Sequence, residues 1–303
     1  MERLIDLGVS KMSFIVPDPL DYKREELVAP MPLTDPIKPE PNYKELEKLF
    51  KLFWEIDEIK KREAHVTIRD IKATMVTDKS AKLLKKYFPT SIIGLGCESG
   101  SEEHCLKLGR GYSPWEVSRA TEILNRHEIY PKINLIVGLP GQDKETVEET
   151  LRFMEKLEDK VLYFDAARFE ALPATAFENL PSDYGPVKDD NIKKIFEKVN
   201  SLHVRHIKKH VGNKWNVLIG VYDTNMTEIA GEEIDKGPKR KFRQLASVVG
   251  YPLSKDVDLN TMATVVKIIS PTKSLKTGDR KVVEIMGYSM VGFRVIPEGR
   301  IIN

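Results

Sequence analysis

Two rhythms of apolar residues alternate along the first two thirds of this chain. Residues 42–62 place Leu46, Leu49, Phe50, Phe53 and Ile56 near a 3.6-residue period, the stripe of an amphipathic helix. Residues 65–73 alternate apolar and polar positions, as a strand with one covered face does. Short apolar runs at 11–16, 91–96, 132–139 and 161–172 predict further strands. Helix signals fall between them. Thr77 can cap a helix beginning at Asp78, and Asp143 can cap one over residues 144–157. Ser113 is followed by Pro114 and, three residues on from the serine, by Glu116, which joins a capping box to a proline start. A long helix is predicted over 187–210. Strands alternating with helices of this length predict a parallel sheet with crossover helices. Five such units are too few for a closed eight-fold barrel, which leaves an open sheet or a piece of a partial barrel.

After His210 the rhythm changes. Runs at 215–223, 242–250, 262–271 and 280–297 are β-rich, broken by Gly, Pro, Asp and Asn, with no long helical period. They predict a second domain over 212–303, a small antiparallel β-barrel similar to oligonucleotide-binding modules, after a first domain over 1–211. The proline-rich residues 28–42 read as an extended loop.

Composition narrows the class. The chain has 303 residues, 41% hydrophobic and 31% charged, with room for two domains. A net charge of +2 is too balanced to argue for nucleic acid by itself. Two cysteines imply a reducing compartment without a disulfide framework. No signal peptide and no apolar run of membrane-spanning length is evident, so a cytoplasmic location is expected.

The densest chemistry lies at residues 91–112, SIIGLGCESGSEEHCLKLGRGY. Cys97 and Cys105 are eight residues apart, unlike the close pairs of zinc or iron–sulfur sites, and read as buried structural thiols. The glycines at 94, 96 and 100 do not follow dinucleotide or P-loop spacing. Glu98-Ser99-Gly100-Ser101 ends a strand of a parallel sheet, where α/β folds bind ligands. A carboxylate there can hold two ribose hydroxyls; equally, Ser99 or Ser101 can simply cap the next helix. Arg110 can pair with a carboxylate or be a surface arginine. Gly138 and Gly141 permit a tight turn or the close approach of an apolar ring. His203, His206 and His210 recur on one helix face, and the interleaved Arg205, Lys208 and Lys209 favour a solvated basic face over a metal. Lys239, Arg240, Lys241 and Arg243 form a compact basic run, either a nucleic-acid contact or a charged linker.

Taken in order, the Glu-Ser-Gly-Ser turn, the leucine-containing helix with Arg110-Gly111-Tyr112, the capped second helix and the strand ending in Gly-Leu-Pro-Gly resemble the second half of the radical S-adenosylmethionine (radical SAM) fold. The resemblance implies an incomplete (β/α)6-type partial barrel. It also implies that Glu98 and Ser99 face a ribose, that Arg110 lies near the SAM carboxylate, that Val137, Gly138 and Leu139 neighbour the adenine, and that Asp18 lies near the methionyl amino group. The β-rich tail resembles the TRAM-type RNA-binding barrel of tRNA methylthiotransferases. The family's C-x3-C-x2-C loop, which holds a [4Fe–4S] cluster, is absent. The resemblance therefore implies the C-terminal portion of a methylthiotransferase-like enzyme that modifies RNA, with tRNA a candidate. Such a portion would be inactive alone and would rely on an N-terminal segment or subunit for the cluster. Two other readings remain open: a non-catalytic RNA-binding or scaffold protein with a degenerate barrel, and a truncated reading frame without independent function.

Overall fold

The computed structural model describes residues 1–7, 11–14, 18–24, 40–61, 65–89, 91–173, 177–178, 190–221, 248–252, 266–269, 275–276, 279–291 and 294–302. They form two units, Met1–Phe196 and Glu197–Asn303.

The first unit begins with a short helix the hydrophobic pattern does not signal, α1 (Glu2–Asp6). It continues with β1 (Lys11–Phe14), α2 (Tyr43–Glu55), α3 (Asp57–Lys60), β2 (His65–Ile68), β3 (Asp70–Ile71) and α4 (Asp78–Tyr87). Then come β4 (Gly94–Glu98), α5 (Glu102–Lys107), α6 (Pro114–Arg126), β5 (Lys132–Val137), α7 (Lys144–Leu157), β6 (Tyr163–Arg168) and the start of α8 (Asp190–Lys208), which continues past Phe196 into the second unit.

Local signals set most of these limits. The Thr77–Ser80 and Ser113–Glu116 capping boxes are both formed, and Asp143 caps α7. Three limits differ from the sequence pattern because backbone groups find other partners. The helix expected over 42–62 breaks at Ile56, whose ψ of 123° is extended. The strand expected over 65–73 is interrupted at Arg69, and Ala73–Met75 form a 3₁₀ turn. The fourth strand starts at Gly94 rather than Ser91, because the Ser91 hydroxyl accepts the Ile68 N–H at 3.1 Å.

All pairing in this unit is parallel: β1 with β2, and β3, β4, β5 and β6 in that order. A doubly wound sheet reverses its strand order near the middle. Here the order runs one way, as in the wall of a barrel. One face of the sheet is apolar: Leu95, Cys97, Ile133, Leu135, Val137 and Phe164 are at most 1% exposed. The helices present matching stripes, Val117, Ala120, Thr121 and Leu124 on α6, and Val147, Thr150, Met154 and Leu157 on α7. Each fully buried Leu or Val contributes about 1.5–3 kcal/mol relative to exposure. The opposite face is different, carrying Gly94, Gly96, Lys132, Asn134 and Asp165.

In the second unit β7 (Lys214–Val221), β8 (Val248–Pro252), β9 (Val266–Ile268), β10 (Arg280–Val291) and β11 (Arg294–Ile302) close a barrel in the order β7-β8-β9-β11-β10. The barrel is not wholly antiparallel as expected: β9 and β11 run parallel. Its core is Trp215, Val217, Ile219, Val266, Ile268, Val283 and Ile285. Gly250 faces that core closely; a Cβ there would lie 2.8 Å from a Val217 methyl. Among the described residues no helix is long and apolar enough to cross a membrane.

Candidate functional site

The site is organised around the end of β4. The Ser99 N–H bonds back to the Cys97 carbonyl at 2.8 Å, closing a three-residue turn with Glu98 at its centre. Glu98 has φ +63°, the left-handed region, where a side chain costs on the order of 1–3 kcal/mol. The pairing of β4 with β5 slips between Gly96 and Glu98. The turn thus projects the Glu98 carboxylate out of the strand's regular alternation.

Glu98 Oε1 lies 2.7 Å from Arg110 Nη2. The Arg110 guanidinium stacks 4.5 Å from the centre of the Tyr112 ring and also bonds the Tyr112 hydroxyl. That hydroxyl donates to the Gly96 carbonyl at 2.8 Å. Gly96 leaves room for the pair: a Cβ there would stand 2.5 Å from Arg110 Nη2 and 2.7 Å from Glu98 Oε1 and would displace both side-chain ends. Arg110 Nε is buried and has no hydrogen-bond partner among the described residues. Burial raises the Glu98 carboxyl pKa, Arg110 partly offsets that, and the Asp70 charge adds to it. Burial likewise raises the Tyr112 phenol, so it stays neutral.

Asp18 follows β1 and is 5% exposed. Its two oxygens accept the Leu20 and Lys72 N–H groups, both at 2.9 Å, tying the ends of β1 and β3 together. Burial pushes its carboxyl up to about 6 against those two bonds. Its charge adds weakly to the upward shift of the Tyr112 phenol.

Ser99 does not share Glu98's outward aim. It is fully buried, and its hydroxyl sits 3.0 Å from His104 Nδ1 and accepts the Ser101 N–H at 3.2 Å. His104 Nε2 lies 2.9 Å from the Pro140 carbonyl, which can only accept. That fixes the proton on Nε2 and leaves Nδ1 to accept from Ser99. One imidazole therefore joins the turn after β4 to the turn after β5. Ser101, not Ser99, caps α5. Gly100 serves packing: a Cβ there would lie 2.5 Å from Thr150 Cα of α7.

In the second turn Val137 is fully buried and Leu139 is 6% exposed. Gly138 and Gly141 have φ of +89° and +78°. The Gly138 N–H donates to Gln142 Oε1 at 2.6 Å, while Gln142 Nε2 is buried with no partner among the described residues. Cys97 and Cys105 are free and buried, both thiols donating to the Ser99 carbonyl. Burial raises both thiol pKa values, Cys105 to about 11.

The structure thus gathers Asp18, Glu98 and Arg110 at the strand ends and gives Ser99 an internal role. His104 and Gln142 were not marked by the pattern, and Tyr112 was marked only as part of the Arg110-Gly111-Tyr112 turn, without a role. Tyr112 had a signal in its place two residues after Arg110, and His104 in its place three residues after the Ser101 cap. His206 and His210 approach to 3.3 Å between Nε2 atoms, but no group of three metal-ligating side chains occurs among the described residues. Lys239, Arg240, Lys241 and Arg243 lie outside the described residues.

A one-way parallel sheet with a strained acidic turn at its carboxyl ends is an α/β architecture of the barrel-wall kind. Residues 1–154 match the radical SAM superfamily, and the chain belongs to it. An uncharacterized protein of Methanocaldococcus jannaschii is 32% identical over 83% of this chain and 44% of its own length. The tRNA-2-methylthio-N(6)-dimethylallyladenosine synthase of Clostridium botulinum (strain Eklund 17B / Type B) is 28% identical over 46% of this chain and 31% of its own. The chain thus spans less than half the length of these curated relatives. The radical SAM methyltransferase TsrM of Kitasatospora setae, with cobalamin and a [4Fe–4S] cluster bound, aligns with 57% of this chain and 30% of its own at a TM-score of 0.41 and 14% identity.

Proposed function

We propose that this chain supplies the nucleoside- and carboxylate-binding part of the SAM site in a radical SAM protein that modifies RNA, in the manner of the tRNA methylthiotransferases. Residues 1–211 are the partial barrel in this reading, and 212–303 a TRAM-like RNA-binding barrel. The observation that carries it is the Glu98–Arg110 pair above Gly96, with a buried guanidinium Nε that lacks a partner among the described residues. SAM fits these groups. The Arg110 guanidinium is a donor group for its carboxylate, Glu98 an acceptor for its ribose hydroxyls, and the turn after Val137 a glycine-bearing surface for its adenine. Asp18 and Ser99 act behind them by holding backbone in place. RNA as substrate is supported by the C. botulinum relative and by the five-stranded barrel.

Family membership implies a [4Fe–4S] cluster as well as SAM, and together these supply radical chemistry. The two cysteines do not fit that cluster. Their thiols are buried, bonded to one backbone carbonyl and held protonated, whereas a cluster needs several exposed thiolates converging on it. In this proposal the cluster is carried by another segment or subunit, and this chain's residues bind and orient SAM.

Calorimetric titration of SAM into the 303-residue chain tests the assignment. Glu98→Gln and Arg110→Lys are expected to weaken binding about tenfold or more, since each removes a charge-assisted or forked bond. Unchanged affinity in both variants, or no binding by the unaltered chain with a cluster-bearing segment added, overturns it.

A further inference from the structure

His104 is a buried titratable side chain that the SAM reading leaves without a task. It stands on α5 and is 2% exposed, yet neither partner of its ring belongs to a helix or a strand. The Ser99 hydroxyl, 3.0 Å from Nδ1, lies in the turn after β4, and the Pro140 carbonyl, 2.9 Å from Nε2, lies in the turn after β5. The ring also lies against Gly141, where a Cβ would stand 3.8 Å from Cδ2.

Both turns hold backbone that the chain rarely adopts unaided. Glu98 has φ +63°, Gly138 +89° and Gly141 +78°. A non-glycine residue in that region persists only where its surroundings over-determine it. At the first turn the restraints converge on Ser99. Its N–H bonds to the Cys97 carbonyl, its own carbonyl accepts both thiols, and its hydroxyl meets the Ser101 N–H and His104. At the second turn the Gly138 N–H is tied to Gln142 within the turn, and the Pro140 carbonyl to His104 from outside it. The Gly100 N–H donates to Thr150 Oγ1 at 3.0 Å, which anchors the first turn to α7 but bonds no residue of 138–141. His104 differs in holding both turns at once. Gly138 itself faces open space, since a Cβ there would meet nothing within 4 Å among the described residues.

A nucleoside gripped through its ribose at Glu98 and through its base at Gly138 needs those two turns at a fixed spacing. Binding groups must be held within about 0.5 Å, by supporting bonds that lock them from behind. An imidazole whose two nitrogens are committed, one as donor and one as acceptor, is such a lock. We infer that His104 is a positioning residue, which fixes the turns after β4 and β5 at the separation that one adenosine moiety spans. The ligand in this inference rests on the SAM reading above; the bridge between the turns does not.

The two arms of the bridge can be cut separately. His104→Leu removes both, whereas His104→Asn keeps an acceptor near Nδ1 and releases the Pro140 arm alone. Calorimetric titration of SAM into the full chain is expected to show binding weaker by about tenfold in His104→Leu, the scale of one lost buried bond. In His104→Asn binding should stay weakened by about fivefold, although part of the folding stability returns. Trp54→Phe is the destabilised control. It removes the Trp54 Nε1 bond to the Tyr87 carbonyl, which precedes the amino end of β4, and its SAM affinity should match the unaltered chain's.

Amide hydrogen exchange reads the bridge without a ligand. The Ser101 and Gly138 N–H groups should exchange about tenfold faster in His104→Leu, and the Gly138 group alone in His104→Asn. The Leu20 and Lys72 N–H groups held by Asp18 should stay protected in both. Should His104→Leu not fold, His104→Asn decides by itself. SAM affinity that returns in step with stability in His104→Asn, or unchanged Gly138 exchange in that protein, overturns the inference. No SAM binding by the unaltered chain sinks the SAM reading, and the exchange pattern then upholds or overturns the bridge alone.

Discussion

Asp18 shows how one buried carboxyl can carry two opposed demands. Its two backbone bonds favour the charged form, while burial opposes it more strongly and places its pKa at about 6. The folded protein then holds a proton between pH 4 and 6 that the unfolded chain releases. The stability this proton lends is full below the ordinary carboxylate pKa of 3.8 and is lost as pH rises through about 6. Across that window the loss is roughly 2–4 kcal/mol, from about two pKa units. Asp18→Asn is expected to lack this decline, which urea unfolding of both proteins at pH 4, 5 and 6 would measure; parallel pH profiles would refute it. None of this was visible along the chain, because the groups that bury Asp18 come from distant strands and loops. Glu98 and Arg110 were legible as a nearby acid and base, but their pairing required the three-residue turn at Glu98, which no local signal specifies.

At the level of elements, legibility follows how local the controlling bond is. The capped starts of α4, α6 and α7 were readable because donor and acceptor lie within a few residues of each other. The start of β4 was not, because Ser91 bonds to Ile68 across the sheet. The parallel β9–β11 pair was hidden for the same reason, being set by closure of the whole barrel. His104 is a tertiary link of the same kind, coupling the turns after β4 and β5 through Ser99 and Pro140. His104→Leu would leave a buried hydroxyl and a carbonyl without their partner, at a cost of about 1–3 kcal/mol for each buried group left unsatisfied. His104→Asn, which keeps a group near Nδ1, should recover part of that loss. Denaturant midpoints of the two variants decide the point, and equal midpoints would count against the coupling.

For the molecule as a whole, the family was readable from the order and spacing of turns over residues 94–154, a property no single motif carries. The passage from a mixed α/β region to a C-terminal β-sheet region was legible from the change of rhythm, and the two compact units meet within α8, between Phe196 and Glu197. RNA binding is a property to test at this scale. If Lys239, Arg240, Lys241 and Arg243 each neutralise a phosphate, replacing all four should lower the slope of log affinity against log salt by about 3, at roughly 0.7 per contact on single strands. Filter binding at several salt concentrations measures this; an unchanged slope removes the basic run from the interface.

The two thiols aimed at the Ser99 carbonyl have a practical consequence. They are closed to reagents while the turn is closed, and they are the chain's entire complement of cysteine. Alkylation under native conditions therefore proceeds only through opening of the segment that also carries Glu98. Its rate is a clock for that opening, readable by mass spectrometry without an introduced probe, and any molecule that settles on the turn will slow it.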